Sequence, residues 1–428
     1  MSGPRGDAGP AAIASPGLEA KRSETEDCAG DNGPAQVSAR AHSLAPADGH
    51  KVTAEVKADL GALARAPAPS APAPSVYGAL DLGTNNCRLL IAKPSRRGFV
   101  IIDAFSRIIR LGEGVLNSGR LSEAAISRTI DALKVCAYKM SRRGVTRSRL
   151  IATEACRIGA NSDEFIARAR QETGLNIEIV TQETEAKLAV SGCASLIDRN
   201  CDFALVFDIG GGSSELIWLD LKRLERPWRR HTLHDRIDMQ GCIAAWTSLP
   251  IGVVNLAERH GGRHVAPDSY EAMVADAMEG IGEFESKHRF GERLAGRHAH
   301  FLGTSGTVTT ICGIYLKLPA YERSRVDGCW LGARDVRAVS SDLVAMTYAE
   351  RVAQPCIGHE RADLVLAGCA ILEALLRVWP CQRLRVADRG LREGILAMLM
   401  AEDGHDRRGP RQRKRPRGAG RGDRRPRR

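Results

Sequence analysis

Two aspartates in this 428-residue chain stand at the ends of apolar runs, each followed by a turn of glycine and small polar residues. Leu205-Val206-Phe207-Asp208-Ile209 runs through Gly210-Gly211-Gly212-Ser213-Ser214 into Glu215-Leu216-Ile217-Trp218. Earlier, Ala79-Leu80-Asp81-Leu82 runs through Gly83-Thr84-Asn85-Asn86 into Cys87-Arg88-Leu89-Leu90-Ile91. Glycines let main-chain N–H groups approach an anion closely. An aspartate at a strand's carboxyl end, beside a phosphate-sized hollow, suits Mg²⁺, a hard cation that prefers oxygen ligands. Either stretch alone reads as a tight hairpin, but the two agree in detail. Arg88 follows Asp81 by seven residues, and Glu215 follows Asp208 by seven. If the halves are related by a pseudo-twofold axis, the turns face each other across one cleft, with Arg88 and Glu215 just beyond them.

A third turn, Gly303-Thr304-Ser305-Gly306-Thr307, follows the apolar run 299–302. It would place N–H groups and hydroxyls at a helix N-terminus, a natural anion site. Neither GxxxxGK[ST] nor GxGxxG opening a βαβ unit is present, so any phosphate binding rests on these three turns. The paired hairpins resemble the phosphate loops of the actin-like phosphotransferase fold.

The elements that must position these turns follow from periodicity. Strands are expected at 76–82, 87–93 and 99–105, then a helix from Ser122, with Glu123 in its first turn, to about Arg142. A strand at 149–152, a helix capped by Asn161-Ser162-Asp163, a strand at 177–180 and a helix carrying Glu183, Glu185 and Lys187 complete the first half. The second half restarts at Phe203. Residues 222–247 read as an insertion, a solvated loop or edge hairpin; His231, His234 and Cys242 within it match no standard zinc spacing. Helices after Gly252 and near 268–286, 334–345 and 360–378, a strand at 383–387 and a helix at 389–402 follow. Alternating strands and helices make the fold class α/β. The expectation is two ribonuclease-H-like domains of the actin-like ATPase superfamily, 76–200 and 201–403, with a cleft between them. Disordered tails, an Ala/Pro-rich extension at 1–75 and an Arg-rich segment at 404–428, are expected to flank them.

Composition sets limits. The net charge of +11 is carried by Arg407–Arg428, which holds twelve Lys or Arg and one acid, so residues 1–406 are nearly neutral. That tail has no aromatic residue for base stacking and suits weak, salt-dependent polyanion or nucleic-acid contact. The 12 cysteines are scattered without a CxxC pair, as in a reducing cytoplasm. No secretory signal or membrane-spanning run is present in the sequence, so no membrane partner is expected.

Taken together, the motifs resemble the exopolyphosphatase/guanosine pentaphosphate phosphatase family over about 76–402. The resemblance rests on Asp81-Leu82-Gly83-Thr84-Asn85, Thr153-Glu154-Ala155-Cys156-Arg157 and Glu183-Thr184-Glu185-Ala186-Lys187-Leu188. It continues through Asp208–Glu215, Gly303–Thr307, Glu360-Arg361-Ala362-Asp363 and Asp388-Arg389-Gly390-Leu391-Arg392-Glu393-Gly394. It implies Mg²⁺-dependent hydrolysis of terminal phosphoanhydride bonds in polyphosphate or guanosine pentaphosphate. Glu185 then matches the catalytic glutamate, the general base, and Glu215 orients the water or holds metal through water. Asp81 and Asp208 hold metal. Gly83, Thr84, Asn85, Arg88, Arg157, Gly210, Gly211, Gly212, Ser213, Gly303, Thr304, Ser305 and Arg361 meet phosphate. Lys187 replaces the usual arginine, Asn86 the usual serine, and the extra helical module of longer members has no counterpart. A homodimer is an option. Rival readings are a phosphotransferase of the same fold and a non-catalytic ppGpp- or polyphosphate-binding regulator.

Deleting residues 404–428 is expected to leave turnover of a short substrate nearly unchanged but to raise KM for long polyphosphate at low salt. Equal KM values with and without the tail across a salt series would exclude a part in capture.

Overall fold

The same strand plan is built twice. The computed structural model describes residues 75–405 apart from 97, 199 and 225–231. The first sheet contains β1 (Tyr77–Leu82), β2 (Asn86–Ser95), β3 (Gly98–Ile108), β4 (Arg147–Ala152) and β5 (Ile177–Ile179) in the order β3-β2-β1-β4-β5. The second contains β6 (Phe203–Ile209), β7 (Ser214–Asp220), β8 (Ile243–Leu249), β9 (Ala299–Thr304), β10 (Trp330–Gly332) and β11 (Arg383–Ala387) in the order β10-β11-β9-β6-β7-β8. In both, three antiparallel strands precede strands added in parallel on the other side, β4 and β5 in the first sheet, β9 and β11 in the second. β10 is an extra edge strand, antiparallel to β11. The α/β architecture of two ribonuclease-H-like halves is therefore present as expected. β1 and β6 are central in their sheets and buried on both faces, which is why each reads as a near-continuous apolar run up to its aspartate.

The segment 222–247 departs from expectation. It is neither an insertion nor a solvated loop over its described part, although its last residues do pair antiparallel with β7 at the sheet edge, as the edge-hairpin alternative expects. Leu233, Met239 and Cys242 are buried in the core, and residues 243–249 form β8, the third strand of the repeat. Its signal is weak because an edge strand with a mostly half-buried surface has no strict alternation. His231 lies outside the described residues, and no group of three or more potential ligands suited to a metal ion occurs among those described.

Two helices, Gln182–Cys193 and Leu391–Glu402, lie in the core layer between the sheets, against Ala79, Leu90 and Ile151 of one and Val206, Ile217 and Leu302 of the other. The short helix Leu233–Asp238 joins this layer through Leu233 and Ile237, and the longer of the remaining helices flank the outer faces. Glu123–Arg142 packs Ile126, Ile130 and Leu133 onto the first sheet after Ser122 caps it by accepting from the Ala125 N–H at 3.2 Å. The central pair crosses very closely. A Cβ on Gly394 would fall on the Leu188 carbonyl oxygen, and one on Gly192 on the Gly390 carbonyl oxygen. This crossing sets the last turn of Gln182–Cys193 beside the first turn of Leu391–Glu402, where Cys193 Sγ lies 3.1 Å from the Arg389 carbonyl oxygen.

The far end of the molecule is pinned by polar contacts. The Tyr77 hydroxyl donates to Asp403 Oδ2 at 2.5 Å, His405 Nε2 lies 2.7 Å from the same hydroxyl, and Arg147 pairs with Glu402 and Asp403. Residues 1–74 and 406–428 lie outside the described residues. No helix among the described residues is long and apolar enough to cross a membrane.

Gly394→Ala is expected to destabilise the protein by about 1–3 kcal/mol or more, because the clash is with main chain and no side chain can move aside. Thermal or denaturant unfolding measures it; an unchanged midpoint would contradict the tight crossing.

Candidate active site

The two glycine turns adopt the same hydrogen bond. Gly83 N–H donates to the Asn86 carbonyl at 2.9 Å, and Gly210 N–H donates to the Ser213 carbonyl at 2.9 Å. They also touch. A Cβ on Gly212 would lie 2.8 Å from Thr84 Oγ1, and one on Gly211 only 3.0 Å from Thr84 Cβ, so glycine is required for the turns to meet. The first turn of the helix Val253–His260 supports the second turn through N–H groups of Val253 and Val254 on the Gly210 and Gly211 carbonyls, at 3.0 and 2.8 Å.

A cavity of roughly 130 Å³ opens where the turns meet. Asp81, Asp208, Glu185 and Glu215 line it together with Glu154, Arg88 and Arg361. The register explains the assembly: Asp81 pairs with Arg88 across β1–β2, and Asp208 with Glu215 across β6–β7. Glu185 arrives from the first turn of Gln182–Cys193, whose cap Thr181 accepts from the Thr184 N–H at 3.2 Å. A larger adjoining cavity of about 630 Å³ shares Asp81, Asp208, Arg88 and Arg361 and adds Arg392.

The site gathers acids and arginines together. Burial pushes the Asp208 carboxyl up to about 7, with repulsion from Glu215 and Asp81 adding to it and Arg88 opposing. Burial also raises Asp81, against the pull of Arg88 and Arg392. Glu185 is raised well above the carboxylate range by burial and by Glu215, with Arg157 opposing. Glu215 is raised by burial, although Ser213 Oγ and Ser248 Oγ donate to its Oε1 at 2.7 and 2.8 Å. Beside these acids, the guanidinium groups of Arg88, Arg361 and Arg392 have no hydrogen bond or ion pair among the described residues. Burial and repulsion from Arg88 hold both Arg361 and Arg392 below the usual guanidinium value. Ser305 adds a buried hydroxyl without a partner among the described residues, on a backbone at φ 116, unusual for a non-glycine residue.

Several expected residues lie elsewhere. Arg157 does not line the cavity. It sits behind it, donating to Glu185 Oε2 at 2.8 Å, Glu154 Oε2 at 2.9 Å and the Val180 carbonyl at 3.0 Å. Gly303 is packed against Phe207 inside β9, while Thr304, whose Oγ1 donates to the Arg389 carbonyl at 2.7 Å, lines only the larger adjoining cavity. Conversely, Glu154 and Arg392 join the site although neither was singled out. Both lie inside motifs quoted above, but only the strand ends and the helix crossing reveal that they converge.

Over residues 90–402 the chain matches the model of the Ppx/GppA phosphatase family. The chain belongs to this family. Exopolyphosphatase 2 of Mycobacterium tuberculosis is 28% identical over 335 residues, covering 75% of this chain and 97% of that protein. The crystal structure of an exopolyphosphatase-like protein has a TM-score of 0.65 at 28% identity, covering 76% of this chain and 97% of the other. A Ppx/GppA family member from Aquifex aeolicus gives 0.60 at 26% identity, over 77% and 99%. Within this Ppx/GppA chain, the departure at Lys187 falls on the solvent side, where Lys187 pairs with Glu183 at 2.6 Å. Asn86 stands at the cavity, its side-chain oxygen buried without a partner.

Glu185 and Glu183 thus occupy opposite settings, one buried in the cavity wall and one exposed. Glu185→Ala is expected to lower kcat for phosphate release by about 10²–10⁴-fold, the usual contribution of a positioned base, while Glu183→Ala costs little. The reverse order, with both variants folded, would show that the wrong carboxylate has been chosen.

Proposed function

We propose that this protein is an Mg²⁺-dependent phosphohydrolase that releases terminal phosphate from inorganic polyphosphate, with guanosine pentaphosphate as a second substrate of the same site. The observation that carries this reading is the gathering, at two adjoining cavities, of buried acids with three arginines that have no hydrogen bond or ion pair among the described residues. Such arginines suit the oxygens of a terminal and an adjoining phosphate. Membership of the Ppx/GppA phosphatase family and likeness to proteins named exopolyphosphatases support the reaction class.

In the proposed reaction, Arg88, Arg361 and Arg392 hold the phosphate oxygens, with the main-chain N–H groups of the glycine turns and the Ser305 hydroxyl beside them. Glu185 accepts a proton from water as the water oxygen bonds to the terminal phosphorus. The bridging P–O bond breaks, and its electron pair leaves with the shortened chain. Burial suits Glu185 to this task, since a carboxylate raised above its ordinary range is a better base near neutral pH. Arg157 does not meet phosphate in this scheme: it orients Glu185 and keeps it ionised enough to act. Glu215, fixed by two serine hydroxyls, orients the water.

The donor set also fits Mg²⁺. Asp81 and Asp208 face the cavity with no hydrogen-bond donor among the described residues. Mg²⁺ commonly takes one or two carboxylates and fills its shell with water and phosphate, so it needs no larger protein cage. When bound, it would neutralise charge developing on the phosphate oxygens. A phosphotransferase would need an acceptor for the phosphoryl group, so release without an added acceptor separates the two activities.

Phosphate release should be measured on polyphosphate and on guanosine pentaphosphate. Excess chelator is expected to abolish it, added Mg²⁺ to restore it, and Asp208→Asn to weaken it strongly. Full activity in excess chelator would reject the metal-dependent mechanism, and no release from either substrate would reject the hydrolase reading.

A further inference from the structure

The segment after β3 is fastened to the first glycine turn. Ile109 and Arg110 N–H groups donate to the Asn85 carbonyl at 2.9 and 3.2 Å, and the Gly112 N–H donates to the Thr84 carbonyl at 2.9 Å. Arg110 takes φ 48, left-handed backbone that is uncommon for a residue with a long side chain. Arg128 holds that shape from behind, donating to the Ile109 carbonyl at 3.1 Å and the Arg110 carbonyl at 3.4 Å.

From this position the Arg110 side chain crosses to the other half of the protein. It donates to both oxygens of Asp363, at 2.9 and 3.0 Å, and to the Glu360 carbonyl at 3.2 Å. Arg361, which lines the cavity, lies between those two anchor points. The loop is gripped on its other side by Arg351, a buried side chain that donates to the Ala362 carbonyl at 3.3 Å and to the Arg263 carbonyl at 2.6 Å. A second bridge lies nearby, where the Gly114 N–H donates to Glu258 Oε1 at 2.8 Å. Neither Arg110 nor Asp363 lines the cavity. A bidentate arginine–carboxylate pair fixes direction as well as distance, which a single contact does not.

We propose that Arg110 and Asp363 are positioning residues. Their pair latches the loop bearing Arg361 to the turn Thr84–Asn85, and so sets how closely Arg361 and Arg88 converge on a terminal phosphate. This rests on the reading that Arg361 meets substrate phosphate, and the test separates the two claims. The pair is partly exposed, with side-chain accessibilities of 27% and 19%, so its loss is expected to leave the fold intact and act on substrate binding.

Steady-state kinetics on tripolyphosphate, with melting temperatures alongside, decide the matter. Arg110→Gln and Asp363→Asn are each expected to raise KM on the order of tenfold, the scale of a misplaced binding group, with kcat changed much less. Arg110→Lys, which keeps the charge but not the two-pronged geometry, should fall between. The exchange Arg110→Asp with Asp363→Arg should recover most of the loss, because aspartate tolerates left-handed backbone and the pair is restored with reversed polarity. Arg110→Gln combined with Arg361→Gln should be no worse than Arg361→Gln alone, since the latch acts through Arg361. If Arg361→Gln leaves KM unchanged, the phosphate-binding reading falls. If Arg361→Gln raises KM but Arg110→Gln does not, or if the two effects add, the latch falls and the phosphate site stands. An exchanged pair that melts normally yet recovers nothing also overturns the latch.

Discussion

Several acidic side chains converge on one cavity in the seam between two sheets, and the rest of the structure is arranged around the cost of holding them there. An ionised carboxylate taken out of water loses several kcal/mol of solvation unless charge or hydrogen bonds replace it. The protein replaces that solvation unevenly. Glu185 receives a guanidinium, Glu215 receives two hydroxyls, and Asp81 and Asp208 receive nothing closer than the Coulomb field of nearby arginines. The arginines near them also lack partners among the described residues, and Arg88 repels both Arg361 and Arg392. A polyanion with a divalent cation would relieve both sets of charges together, the cation meeting the acids and the polyanion the arginines.

The close approach of main chain makes this arrangement buildable. The glycine turns touch through Gly211 and Gly212, and the central helices cross through Gly192 and Gly394. Side chains at these points would push the halves apart and withdraw Glu185 and Arg392 from the aspartates. Small residues therefore act here through the distances they permit between other groups, and the charged cluster depends on them as much as on the charged residues themselves.

Much of this was legible in the sequence, and what was not has a common cause. Asp81 with Arg88 and Asp208 with Glu215 were readable because a hairpin writes its geometry into spacing: a fixed turn sets which residues pair across it. The succession of strands in the first half followed from its apolar runs, whereas β8 and β10 of the second half did not. Arg392, Glu154 and the true setting of Arg157 were not readable, because each depends on contacts between elements distant in the chain. Arg157 lies within a motif that suggests phosphate, yet the strand-to-helix corner turns it onto Glu154 and Glu185. β8 was hidden differently: an edge strand whose two faces are similarly covered leaves almost no alternation to detect.

The pinning of Tyr77 by Asp403 and His405 bears on how the chain is made. β1 is synthesised early, but the face carrying Tyr77 and Ala79 is covered by Ile395, Leu396 and Met400 of the last helix. A nascent chain leaving the ribosome therefore exposes apolar surface on its first sheet until nearly the whole folded region has emerged. Domains usually fold as units in order of synthesis. Here the first half cannot close its inner face alone, so biosynthesis holds it in a partly covered state, where a chaperone would find its binding surface. The last helix is thus a completion signal for folding as well as a wall of the catalytic cleft.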